Sequence, residues 1–213
     1  MGVRDRGFAV LAHQLAGPRG PLGRVVARQL DAVNVTGITA AVEHLDPAVG
    51  DTVADIGFGG GIGLDLLAAA VGPCGVVHGI DPMAGMIRRA RRRRREAVEQ
   101  GRLTLRMGVM GELPLPDATL DGAISCNTIY FMAELDRPFA ELARVLRPTG
   151  TVVIGLADPA SLRTRPFSEH GFVLRDVDTV VTALEGAGLT TRPVQTVDIG
   201  RGDFHLVAGS SGR

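Results

Sequence analysis

The stretch from Asp51 to Leu67, DTVADIGFGGGIGLDLL, constrains the fold more than any other part of this 213-residue chain. Four of the five residues from Gly57 to Gly61 are glycine, set between a β-branched run that reads as a buried strand and an apolar run with helical spacing. Glycine gives up more conformational freedom on folding than any other residue. Such a cluster needs a local cause: either the backbone turns through φ > 0, or something approaches it more closely than a Cβ permits.

The remainder of the chain says what the cluster joins. GLDLLAAAV reads as a helix and GVVHGID as a strand, and Pro82 to Gln100 reads as one long helix with proline in its first turn. RLTLRMG and TLDGAISCN are further strands, Leu135 to Leu146 a helix and GTVVIGLAD a strand. A helix over Val177 to Ala187 precedes two last strands, TTRPVQTVDI and DFHLVAG, joined by the tight turn GRGD as in a hairpin. Alternation of this kind predicts an α/β fold, a doubly wound and mostly parallel seven-stranded sheet with an antiparallel strand in its C-terminal hairpin. Ahead of it, helical spacing runs from Leu22 to Val33 and from Ile38 to Leu45. These helices are expected to form an N-terminal lid segment, residues 1–48, over a core domain of residues 49–213.

Composition narrows the function classes. The basic and acidic residues balance at 23 each, so no net field draws the chain to nucleic acid or to a membrane surface. All the basic residues are arginine, which excludes a catalytic lysine. Cys74 and Cys126 lie in apolar surroundings without metal-ligand or disulfide-framework spacing, and no apolar run reaches the length of a signal peptide core or a membrane span. A cytoplasmic protein is the expectation.

In a doubly wound sheet, ligands bind where the carboxyl ends of the strands meet helix N-termini, and the glycine cluster lies at such a junction. Gly57, Gly59 and Gly61 would let a ligand lie against bare peptide. Asp81 ends the next strand, 20 residues beyond Gly61, where a carboxylate can take both hydroxyls of a ribose. The ligand could be a dinucleotide or another nucleoside. Asp55, two residues before the first glycine, would repel a pyrophosphate but suit the ammonium group of an amino acid. That favours a nucleoside that carries an amino acid, S-adenosylmethionine.

The motifs and their order resemble the class I S-adenosylmethionine-dependent methyltransferases, in particular the small-molecule group of the ubiquinone and menaquinone C-methyltransferases. VADIGFGGGIG, VVHGID, GVMGELPLPDATLDGAIS and ELARVLRPTGTVVIG carry the resemblance, which covers roughly Val49 to the C-terminus. It implies a Rossmann-like core, S-adenosyl-L-methionine as cofactor and a small-molecule acceptor, for example one of secondary metabolism. A cyclase or isomerase using the same cofactor, or a cofactor-binding regulatory module, is the alternative. Carried over by position, Asp55, Gly57, Gly59 and Gly61 would surround the methionine part and Asp81 the ribose. Pro82 and Met83 would pack on the adenine, whose edge would meet the backbone at Val109 and Met110, and Asn127 would lie beside the sulfonium. The chain reads GVM where the family often reads GDA, so the carboxylate that accepts from the adenine amino group is missing.

Tyr130, the only tyrosine, and His170 are the catalytic candidates, because both follow strands in regions that face the acceptor in this fold. Cys126 lacks the flanking residues of a methyltransferase nucleophile and reads as a structural thiol. The run RRARRRRR, Arg88 to Arg95, wraps around a helix near Glu96 and Glu99 and reads as a solvated face, not a nucleic-acid stripe.

Overall fold

The computed structural model describes residues 34–165, 171–200 and 202–212. Helix α1 (34–45) leads to β1 (Thr52–Ile56), and the glycine turn then leads to α2 (Ile62–Val71) and β2 (Val76–Asp81). Next come α3 (Ala84–Arg93), α4 (Arg95–Glu99), β3 (Leu103–Met107), β4 (Leu120–Cys126) and α5 (Asp136–Val145). Then β5 (Leu146–Ala157), α6 (Pro159–Arg163), α7 (Val177–Gly186), β6 (Leu189–Thr191), β7 (Gln195–Asp198) and β8 (Asp203–Ser211) complete the described chain.

The strands form one sheet in the order β3-β2-β1-β4-β5-β8-β6, with β7 also paired to β8. Pairing is parallel from β3 through β5 and antiparallel at β8. The seven expected strands are therefore eight. The stretch read as one strand, TTRPVQTVDI, is split: β6 pairs with Gly209 to Ser211 and β7 with Asp203 to Leu206, along the same strand. Pro193 lies in the gap, where it has no N–H to give to a ladder. The helix expected from Pro82 to Gln100 is likewise broken, because Arg94 leaves helical geometry at φ −117° and ψ 35°.

Strands buried on both faces hold the core. In β5, Val152, Ile154 and Leu156 pack with Phe139 and Leu142 of α5 and Leu184 of α7, while Val153 points into the opposite layer with Leu45, Leu64, Leu67 and Met86. The described part of the N-terminal segment is bound to this second layer. Gly37 lets α1 approach the ring of Phe204, since a Cβ there would lie 2.9 Å from it. The remaining helical stretch, Leu22 to Val33, lies outside the described residues, as does the rest of the expected lid segment before residue 34. None of the described helices is long and apolar enough to cross a membrane.

The two-layer packing fixes the carboxyl ends of β1, β2, β4 and β5 side by side. The loop between β3 and β4 is tied to α5 through Arg144. Its guanidinium donates to the carbonyls of Leu113 (3.2 Å) and Leu115 (2.9 Å) and to Glu141 and Asp117, while Glu141 accepts from Leu113 N at 2.9 Å. This network holds the Gly108 to Gly111 stretch beside the strand ends.

Candidate active site

A cavity of about 480 Å³ opens over these strand ends. Gly57, Gly59, Asp81, Pro82, Met83, Val109, Met110, Asn127 and Tyr130 all line it. Asp55 and Gly61 lie behind its wall, and His170 is outside the described residues. Thus most of the residues expected around a nucleoside converge on one space, although they come from four separate segments.

The glycines divide by what occupies the room that a Cβ would take. Gly57, Gly59 and Gly61 all have positive φ, at 79°, 50° and 91°. At Gly57 a Cβ would meet Thr128 Oγ1 at 2.6 Å, and at Gly61 it would meet the Arg94 guanidinium at 2.9 Å. At Gly63, inside α2, it would collide with Asp55 Oδ2. At Gly59 the space is open, with the nearest atom, Gly57 O, 4.0 Å away. The glycines of the motif therefore have two causes: Gly57, Gly61 and Gly63 admit the protein's own side chains, and Gly59 presents bare backbone to the cavity.

Asp81 is 4% exposed, and its carboxylate is already oriented. Oδ2 accepts from Gly59 N at 3.0 Å and Oδ1 from Met83 N at 2.8 Å, so the acid bridges the glycine turn to the start of α3. Burial raises its pKa, and the two N–H groups pull in the opposite direction. Each oxygen keeps acceptor capacity for a further hydroxyl. Asp55, 5% exposed, is more strongly affected: burial first, and then the Asp81 charge, push its pKa up to about 8, against the pull of Arg94.

The folded state thus holds the Asp55 proton through a range in which the unfolded chain has released it. Stability should therefore fall as pH rises from about 4 to about 8. His78, which burial lowers to about 4, acts in the opposite direction below its ordinary 6.5, so the decline should be clearest between about 6.5 and 8. Thermal unfolding midpoints across that range should flatten in Asp55→Asn.

At the β4 end, Asn127 takes left-handed backbone, φ 56°, and its N–H donates to Gly155 O at 2.8 Å. Tyr130 is buried, and its hydroxyl donates to Asn127 Oδ1 at 3.1 Å and accepts from Ala157 N at 2.6 Å. Burial pushes the phenol pKa upward, so the group stays protonated. Burial likewise raises the Cys126 thiol, consistent with the structural reading of that residue. Beyond Tyr130 the wall carries apolar and aromatic side chains, with Ser161, Arg165 and Asp203 also lining the cavity. Phe172 stacks on Tyr130 at 5.7 Å between centroids and meets Phe131 edge-on at 5.0 Å, with Met132 and Leu162 alongside.

Sequence reasoning missed Gly63, Thr128 and Arg94. Gly63 carried a signal in the extended glycine motif. The other two are brought to the loop only by tertiary packing.

The space fits S-adenosylmethionine: open backbone at Gly59, a bound and buried carboxylate in Asp81, and a second buried carboxylate, Asp55, suited to an ammonium group. Comparison with known proteins agrees. Residues 54–154 match the family described as "Methyltransferase domain". The chain is 37% identical over 107 residues to the arsenite methyltransferase of Halobacterium salinarum and 35% identical over 113 residues to the demethylmenaquinone methyltransferase of Symbiobacterium thermophilum. These matches cover 50% and 53% of this chain but only 27% and 44% of those proteins, so the chain spans less than half the length of these two relatives. The fold is shared with geranyl diphosphate C-methyltransferase from Streptomyces coelicolor, solved with Mg2+, geranyl diphosphate and S-adenosyl-L-homocysteine. The TM-score is 0.72 at 16% identity, over 91% of this chain and 86% of that one. The glycine turn, the Asp81 bridge and these likenesses together mark residues 54–154 as a methyltransferase domain of the S-adenosylmethionine-dependent kind.

Proposed function

We propose that this chain transfers a methyl group from S-adenosylmethionine to a small, largely apolar acceptor held at the β4–β5 end of the cavity. The observation that carries this reading is the continuity of one cavity from the glycine turn to the wall of Phe131, Met132, Leu162 and Phe172. The strand order supports a reading with the adenosine side over β1 and β2 and the acceptor side over β4 and β5.

In the bound state, Asp81 would hold the ribose, Met83 and the backbone at Val109 and Met110 the adenine, and Asp55 would face the amino-acid end from behind the turn. When bound, S-adenosylmethionine supplies a methyl group already activated by its sulfonium. What the protein adds is alignment, which can contribute about 7–11 kcal/mol when two reactants are held in line. Tyr130 is a positioning residue here. Its hydroxyl is tied to β5 and orients the Asn127 side chain toward the cavity, and its protonated state makes it a poor base. Named acceptors of the two relatives, arsenite and demethylmenaquinone, are both small molecules, which supports the class without fixing the compound.

Tyr130→Phe removes the link between Ala157 N and Asn127 and leaves a half-buried N–H without that partner, a loss of about 1–3 kcal/mol. It should lower kcat roughly tenfold to a hundredfold with little change in S-adenosylhomocysteine affinity. The assay is release of S-adenosylhomocysteine with a panel of quinols, phenols, isoprenoids and polar amines. Turnover restricted to the polar amines would contradict the apolar-acceptor reading.

A further inference from the structure

The arginine run Arg88 to Arg95 was expected to be a solvated face, and at Arg92, Arg93 and Arg95 the side chains are exposed. Arg94 is different. It stands at the break between α3 and α4, and its side chain is only 11% exposed. Nε and Nη2 grip the Asp65 carboxylate, each at 2.6 Å, and Nη2 also donates to Gly61 O at 2.6 Å. Nη1 is buried without a hydrogen-bond partner and lies against Gly61. One guanidinium therefore joins the first turn of α2, the end of the glycine turn and the end of α3.

We propose that Arg94 is a positioning residue for the cofactor: it clamps the glycine turn in its φ > 0 geometry and places a fixed positive charge behind Asp55. The glycine at 61 is explained by this contact, since any side chain there would displace the guanidinium. The helix break at Arg94 is explained too, because regular helix would carry the side chain away from the turn.

The charge matters because Asp55 has otherwise unfavourable company. From β2 it faces the Asp81 carboxylate and from β4 the Cys126 thiol, while Arg94, gripped by Asp65 on α2, brings the opposite charge. Arg94 is the cation that favours ionised Asp55. An ammonium group binds the ionised form more tightly than the protonated one, which keeps an acceptor oxygen but lacks the opposite charge.

This inference rests on the methyltransferase reading, and its test separates the two. In the cofactor-free full chain, the Asp55 carboxyl is followed by carbon-13 NMR against pH in wild type, Arg94→Gln, Arg94→Lys and, as an exposed control, Arg93→Gln. S-adenosylhomocysteine affinity is measured on the same four proteins by calorimetry. Arg94→Gln should move the Asp55 titration to higher pH and weaken S-adenosylhomocysteine about tenfold or more near neutral pH, with part of the loss recovered as pH rises, as expected for removal of one charge-assisted contact. Arg94→Lys should restore the Asp55 titration more than the affinity, because a lysine keeps the charge but not the planar fork. Arg93→Gln should match wild type. An Asp55 titration and an affinity both unchanged in Arg94→Gln would overturn the inference. Wild type that does not bind S-adenosylhomocysteine would overturn the methyltransferase reading instead, and the Asp55 titrations would still decide the role of Arg94. If Arg94→Gln does not fold, Arg94→Lys decides: wild-type affinity there would rule out the clamp.

Discussion

Replacing Asp81 with alanine should weaken S-adenosylmethionine binding by about 1.5–3 kcal/mol, roughly a 10- to 150-fold rise in Kd, while the chain stays folded. The carboxylate is placed to accept two hydroxyls, and a charge-assisted pair in a nearly enclosed position contributes on that scale. Its removal also frees the N–H groups of Gly59 and Met83, so the cradle itself should loosen. The fold should survive because the mutation lifts the cost of burying a carboxylate next to Asp55. Calorimetry on the folded mutant measures the loss. Unchanged affinity would place the ribose elsewhere and remove Asp81 from the site.

Gly57→Ala should be the most damaging single change in the turn. A left-handed conformation costs a residue with a Cβ about 1–2 kcal/mol, and the forced contact with Thr128 adds an overpacking cost of about 1–3 kcal/mol. Urea denaturation should show a loss of about 2–5 kcal/mol in stability, taken as the sum of those two costs. Thr128→Ala in the same chain should return the packing part but not the backbone part, because it removes the atoms at 2.6 Å and 2.8 Å and leaves φ unchanged. A double mutant no more stable than Gly57→Ala would show that Thr128 is not the obstacle.

The fold was readable because its determinants are local. Apolar runs bounded by Gly, Pro and Asp marked the strands, and the same period-2 and helical patterns that define them also decide which faces are buried. The split of the last strand was visible in principle at Pro193, yet the apolar and β-branched residues on either side read through it. The break at Arg94 had no local mark at all: eight residues of nearly uniform arginine suit a helix throughout, and only the contact with Asp65 and Gly61 selects one of them to leave it.

The proposed cofactor side of the cavity was readable for the same reason, since Gly57, Gly59, Asp55 and Asp81 lie in two short motifs on adjacent strands. The proposed acceptor side was not. Tyr130 was singled out as the only tyrosine, but its hydrogen bond to Ala157 N, which makes it an orienting group, depends on β4 and β5 lying side by side. Phe172 likewise reaches the cavity from a distant loop, with no spacing to announce it. Gly61 and Gly63 show the limit most clearly. Both sit in the expected motif, but the groups that require them to be glycine, Arg94 and Asp55, are the protein's own and not the ligand's.

The most direct test of the whole account is a calorimetric titration of the full chain, near neutral pH, with S-adenosylhomocysteine and, separately, with NAD. Both ligands carry an adenosine ribose for Asp81, but only the first presents an ammonium group to Asp55, and only the second brings a pyrophosphate to the glycine turn. The account predicts saturable one-site binding of S-adenosylhomocysteine and no measurable heat with NAD. Binding of NAD with equal or higher affinity, or no binding of S-adenosylhomocysteine, would contradict it.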